Sequence, residues 1–181
     1  MERCRLVFSG SGGQGVITAA IILAEAAVLY ENLNAVQSQS YGPEARGGAT
    51  RSDVIIADST IHYPKVIQPN VLVCLTQEAY NKFYPIVRPG GLLITDTRYV
   101  KTEKKVDAQQ KELPLYHTVM DQLGKPIVFN ICMLGAVVRL TDVVQPDSIM
   151  RVLENRIPSG FLELNRQALN LGIKLASQNR K

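Results

Sequence analysis

The sequence predicts an α/β fold: one Rossmann-like domain over residues 1–181, with a mostly parallel sheet, helices on both faces and an inserted antiparallel hairpin. Three observations lead to it. A short apolar run, Leu6-Val7-Phe8, passes through a glycine turn into an apolar segment of helix length. The runs Val71-Leu72-Val73-Cys74-Leu75 and Leu92-Leu93-Ile94-Thr95 are continuously apolar, as strands buried on both faces require. Segments of helical length and period separate the later strands, so strands and helices alternate along the chain.

The first unit carries the first candidate site. Gly10, Gly12 and Gly15 fit G-x-G-x-x-G, with Gly13 and Gln14 between the last two. Glycine permits φ > 0 and lets a ligand or another backbone approach closely. The helix that follows offers unpaired N–H groups and a positive dipole end to an anion. From Gln14 to about Leu29 this helix is apolar nearly all round, broken by Thr18 and Glu25, and is expected to be buried. The glycine pattern alone is weak evidence for a dinucleotide. Such a site wants an acid about 20 residues on, at the end of the second strand. The second strand, residues 33–37, runs into Gln37-Ser38-Gln39-Ser40, without a carboxylate. Two readings stay open: a loop that only allows a tight turn and close packing, or one that meets a phosphate, a cofactor or a partner chain.

The second candidate site follows at once. Ser38 to Gly48 is polar and glycine-rich with no apolar period, hence a loop leaving a strand end, where open α/β sheets bind ligands. Tyr41, Glu44 and Arg46 are framed in it by Gly42, Pro43, Gly47 and Gly48. Arg46 can clamp a carboxylate or phosphate in bidentate fashion, and Glu44 can pair with Arg46 or with a cation. A turn held by its own Glu–Arg pair explains the same residues.

Asp53-Val54-Ile55-Ile56-Ala57 reads as a strand, and Thr60-Ile61-His62-Tyr63 as its short return partner, which is the inserted hairpin. Thr76 caps a helix to about Ile86, with Glu78 in the first turn. Pro89-Gly90-Gly91 turns into the strand that Asp96 closes. Residues 98–112 are expected as a polar, mobile surface excursion, and Leu113-Pro114-Leu115-Tyr116 as an edge strand. A short helix near 118–123 ends at Gly124. Phe129 to about Val143 is a buried or interface helix, and Pro146 starts another to about Asn155. In the last helix Phe161, Leu164, Ala168, Leu171 and Leu175 form one apolar stripe.

Composition excludes several classes. Hydrophobic residues are 46% and charged residues 20%, wrong for a disordered chain. The apolar run after Arg5 is too short for a signal-peptide core, and no 18-residue apolar run offers a membrane span, so a cytoplasmic protein without membrane insertion is expected. The net charge of +4 is spread, and no aromatics interleave the lysines at 101, 104 and 105, which argues against nucleic acid. Cys4, Cys74 and Cys132 lack C-x-x-C spacing and are too few for a cluster, which takes about four thiolates. His62 and His117 have no partners at metal-ligand spacing. Two glycine-rich loops thus follow adjacent strands in a chain with no complete active site.

Those two loops carry a resemblance. Gly10-Ser11-Gly12-Gly13-Gln14-Gly15-Val16, Tyr41-Gly42-Pro43-Glu44-Ala45-Arg46-Gly47-Gly48 and Ser52-Asp53-Val54 resemble the gamma subunit of 2-oxoacid:ferredoxin oxidoreductases. The likeness continues through Pro89-Gly90-Gly91, Asn130 to Gly135, and Pro158 to Leu169. It implies a complex that oxidatively decarboxylates a 2-oxoacid with coenzyme A, giving acyl-CoA, CO2 and reduced ferredoxin. It implies thiamine diphosphate, magnesium and iron–sulfur clusters held by other chains, with none bound by this chain alone. The partners implied are alpha and beta subunits, a ferredoxin-like delta subunit, and ferredoxin as acceptor. The short separate chain looks most like the 2-oxoglutarate type, with pyruvate next. The rivals are a free-standing NAD-dependent enzyme or nucleotide-binding domain, and a purely structural module.

Overall fold

A computed structural model describes residues 3–40, 49–103 and 105–179. The strands are β1 (Cys4–Gly10), β2 (Asn34–Gln39), β3 (Thr50–Ala57), β4 (Val71–Cys74), β5 (Gly91–Asp96) and β6 (Ala108–Leu113). They form one six-stranded sheet in the order β2-β3-β1-β4-β5-β6. β1, β4, β5 and β6 run parallel, and β3 is antiparallel to both of its neighbours, β1 and β2. The helices are α1 (Val16–Tyr30), α2 (Gln77–Phe83), α3 (Leu115–Leu123), α4 (Phe129–Thr141), α5 (Pro146–Arg156) and α6 (Ser159–Gln178).

The pleat sorts the apolar runs onto two faces. Leu6, Phe8, Val54, Ile56, Val71, Val73 and Ile94 share a core with residues of α1, α3, α4, α5 and α6. Their neighbours Val7, Ile55, Leu72, Cys74 and Leu93 pack against Ala79, Tyr80 and Phe83 of α2. Helices therefore cover both faces, as expected, but unevenly. Thr76 caps α2 as read from the sequence, accepting from the Ala79 N–H at 3.2 Å.

The expected hairpin is corrected. Residues 60–63 form no strand, because β1 and β2 already occupy both edges of β3. The antiparallel insertion is β3 itself, turning back from β2. The chain after β3 crosses the sheet irregularly instead. Buried Asp53 accepts from the Val66 N–H at 2.9 Å and pairs with Arg51 at 2.7 Å, and Ser38 Oγ donates to the Pro64 carbonyl at 2.9 Å.

The edge strand is also corrected: it is β6, and Pro114 ends it and opens α3 rather than lying within it. A residue with no N–H cannot extend the ladder but suits a helix start. All of β6 but Leu113 lies inside the stretch expected to be a mobile excursion. The chain before it is pinned, with Lys101 N–H on Gln77 Oε1 at 2.8 Å.

The stripe of α6 is shifted. Its buried residues are Asn165, Ala168, Leu169, Gly172 and Ala176, and Phe161 is exposed. Small residues win because α6 crosses α4 backbone to backbone. A Cβ at Gly135 would lie 2.2 Å from the Leu169 carbonyl oxygen, and one at Gly172 would lie 1.8 Å from that of Cys132.

Candidate functional site around the glycine loop

The loop Gly10–Gly15 leaves the C-terminal end of β1, and its own side chain closes it. Gln14 Oε1 accepts from the Ser11 N–H at 2.8 Å, and Gln14 Nε2 donates to the Leu75 carbonyl at 3.1 Å, just beyond β4. Gly15 adopts φ 71°, which disfavours any side chain. A Cβ there would also meet Asn130 Nδ2 at 2.6 Å and Asn130 Cβ at 2.9 Å. Asn130, in the first turn of α4, donates Nδ2 to the Gly15 carbonyl at 3.3 Å. Gly13 lies at φ 90°. No side chain caps α1 and its first turn holds no acid, so its leading N–H groups have no side-chain acceptor within the helix start.

Beside this loop lies a cleft of about 510 Å³. Gly13, Gly15 and Thr18 line it from one side, Asn130 from α4, and Phe161 and Leu164 from α6. Its lining is mostly apolar, and Ile127 and Phe161 stand 80% and 58% exposed, which is costly for a surface that nothing covers. At the rim, Arg156 Nε donates to Glu25 Oε2 at 2.6 Å and Nη2 to Oε1, tying α5 to α1. The hydrogen bonds from Arg156 hold the Glu25 carboxyl below the usual carboxylate range.

Residues 5–175 match the family Pyruvate ferredoxin/flavodoxin oxidoreductase. The chain belongs to that family. It is 44% identical to 2-oxoglutarate synthase subunit KorC of Methanocaldococcus jannaschii, over 97% of this chain and 95% of the relative. Among solved structures it resembles a keto/oxoacid ferredoxin oxidoreductase gamma subunit from Geobacter sulfurreducens PCA, with a TM-score of 0.92 and 40% identity over the whole of both chains. A 2-oxoglutarate:ferredoxin oxidoreductase from Magnetococcus marinus shares the fold at a TM-score of 0.88 and 19% identity, matching 98% of this chain but 32% of its own. The resemblance read from the sequence, to a gamma subunit of 2-oxoacid:ferredoxin oxidoreductases, is therefore borne out, and with it an accessory role within an oxidoreductase.

In this family member, three stretches that carried the resemblance meet at the cleft: the Gly10–Gly15 loop, the start of α4 at Asn130, and the chain from Pro158 into α6. Of the loop residues singled out in the sequence, Gly13, Gln14 and Gly15 line the cleft together with Asn130, and Gly10 and Gly12 do not. Tyr41, Glu44, Arg46, Gly47 and Gly48 lie outside the described residues. The strand ends that flank them are fixed beside the loop: Thr50 Oγ1 donates to the Gly10 carbonyl and Ser9 Oγ to the Thr50 carbonyl, both at 2.8 Å.

Sequence reasoning missed a polar group at the same edge of the sheet. Asp96, fully buried at the end of β5, accepts from the Arg98 and Tyr116 N–H groups, each at 2.8 Å. Burial pushes its carboxyl up against those bonds. Exposed Arg98 lies over the rings of Tyr116 at 4.7 Å and Tyr99 at 5.6 Å, and Tyr116 packs edge-on against Phe129, the neighbour of Asn130. The available signal was a lone acid closing an apolar strand, followed by an arginine.

The cysteines do not fit an iron–sulfur cluster. Cys74 and Cys132 belong to the cores on opposite faces of the sheet. Burial pushes the Cys4 thiol up to about 11 and that of Cys132 up to about 12, and raises that of Cys74 as well, so none favours the thiolate that a cluster needs. Among the described residues no three of His, Cys, Asp and Glu are placed to hold a metal ion, and no helix is long and apolar enough to cross a membrane. His62 and His117 are both exposed.

Proposed function

We propose that this chain serves a multi-subunit enzyme that converts a 2-oxoacid, 2-oxoglutarate before pyruvate, with coenzyme A to acyl-CoA, CO2 and reduced ferredoxin. The chain packs on thiamine-bearing alpha and beta subunits and forms part of the path by which substrate or coenzyme A approaches. The observation that carries this is the convergence of the glycine loop, Asn130 and the α5–α6 turn on one exposed, largely apolar cleft. At the cleft, Gly13 allows a group from outside to come close to the backbone, as Gly12 does on the loop beside it, and the start of α1 favours an anion there. Arg46 and Arg98 are the cations assigned to a carboxylate or phosphate. Thiamine diphosphate, magnesium and the clusters, held by the other chains, supply the decarboxylation and electron transfer. The 2-oxoglutarate preference rests on the similarity to the KorC relative.

The NAD reading loses ground on topology. A ribose-binding acid would stand at the end of a second strand beside β1, and here β3 intervenes between β1 and β2.

The test is anaerobic pull-down of the chain from its host, followed by coenzyme A-dependent reduction of a viologen dye with 2-oxoglutarate, pyruvate and 2-oxoisovalerate in turn. Co-purifying brown chains and activity fastest with 2-oxoglutarate are expected. A colourless chain without activity after gentle lysis contradicts the proposal. In the active complex, Arg46→Ala should raise a Michaelis constant; normal assembly with unchanged constants for both substrates removes Arg46 from the contact.

A further inference from the structure

Where β1 begins, at the opposite edge of the sheet from the glycine loop, lies a second concavity of about 700 Å³. Arg3 and Arg5 line it from the start of β1, Lys65 from the irregular chain after β3, and Arg88 from the turn before β5. None of its lining residues is acidic. Arg5 has the strand parity of Val7, so it stands on the sheet face that α2 covers, and Arg3 directly precedes β1. Arg3 Nη2 donates to the Thr60 carbonyl at 3.1 Å, which fixes its guanidinium beside the groove. Arg5, Lys65 and Arg88 make no ion pair among the described residues.

Other described arginines have partners: Arg98 and Arg151 lie over tyrosine rings. Arg51, Arg139, Arg156 and Arg166 each pair with a carboxylate. Four cations gathered at one concavity repel one another. The same groove exposes Tyr63 at 59% and Ile67 at 74%.

We propose that this groove docks an extended acidic segment of another polypeptide. The carboxylates of the segment pair with Arg3, Arg5, Lys65 and Arg88, and an apolar side chain rests against Tyr63 and Ile67. Single-stranded nucleic acid would want several aromatic platforms, and Tyr63 is the one aromatic in the lining. The exposure of Lys65, Ile67 and Arg88 makes the groove open, unlike the enclosed concavity that a small ligand needs.

The experiment titrates the full chain into a fluorescein-labelled peptide of aspartates and glutamates around one leucine, read by anisotropy. The wild-type chain should bind, and the affinity should fall as salt rises from about 0.05 to 0.5 M. Arg5→Glu with Lys65→Glu and Arg88→Glu should weaken binding by about tenfold and flatten the salt dependence. Lys101→Glu with Lys174→Glu, the first beside the start of α2 and the second on α6, should leave affinity within about twofold. If the triple variant melts early, the pair Lys65→Glu and Arg88→Glu, both exposed, carries the test with an expected loss of about threefold. Equal affinity of the wild-type chain and the reversed variants overturns the proposal. So does single-stranded DNA of matching charge that displaces the peptide and binds more tightly.

Discussion

A Cβ added at Gly172 would lie 1.8 Å from the Cys132 carbonyl oxygen, whereas one added at Gly12 would meet nothing among the described residues within 4 Å. Gly172 is answered from within the fold: α6 can approach α4 only where no side chain intervenes. The glycine loop divides on the same criterion. The space above Gly10 is taken by Gln14, and that above Gly15 by Asn130. Gly12 is open, and its φ lies outside the left-handed region. Nothing within the described chain fills the space above it, which leaves that space free for the outside group of the proposed function. A glycine motif therefore mixes internal packing with external access, and the space above each residue separates the two.

The comparison breaks most readily at the helix crossing. Gly172→Val should destabilise the fold by about 3 kcal/mol, because the clash is with backbone that cannot rotate away. The melting temperature should fall by about 10 °C. A loss under about 2 °C would mean that the helices can separate, and that the crossing is not the constraint.

Gly15→Ala comes next. It combines left-handed backbone strain with the Asn130 contact and should cost about 2 kcal/mol. Asn130→Ala alone should cost about 1 kcal/mol through the lost bond to the Gly15 carbonyl. The double variant should cost less than the sum, since removing the Asn130 side chain clears the space. Additive losses in denaturant titrations would show that Asn130 does not fill the space above Gly15.

Much of this was legible beforehand. β1, β4, β5, α1 and α4 each carry a dominant apolar run, and period and length locate them. The place of β3 was not legible, because the pairing of Ile55 with Arg5 and with Val36 is decided across the sheet and not by the neighbouring turn. β6 escaped because Gln109, Gln110 and Lys111 carry no apolar signal; its backbone pairs with β5 regardless. The α6 stripe was misplaced because Gly172 and Ala176 score weakly as apolar yet make the closest approach. At the site, the loop was legible and its lock was not. Asn130 was one polar residue in an apolar helix, and its partner Gly15 is 115 residues away.

The rim ion pair sharpens the contrast between access and stability. Glu25→Gln should cost about 0.5 kcal/mol, a small figure because both partners are more than a third exposed. The folded Glu25 carboxyl is depressed, so its contribution is present above the unfolded value of about 4.3 and is lost as pH falls through the folded value. Melting curves of the wild-type chain and Glu25→Gln should converge in acid. A constant gap across that range would assign the effect to packing.

The most direct test of the outward reading is Gly12→Leu, measured twice. In the free chain the melting temperature should stay within about 2 °C of wild type, since none of the described residues would meet the new Cβ within 4 Å. In the anaerobic complex, assembly should weaken, or the Michaelis constant for coenzyme A or the oxoacid should rise by about tenfold, a loss of roughly 1.4 kcal/mol of binding. A variant that melts normally, assembles normally and keeps both constants would show that nothing approaches the loop at Gly12, and the outward reading of the loop would not stand.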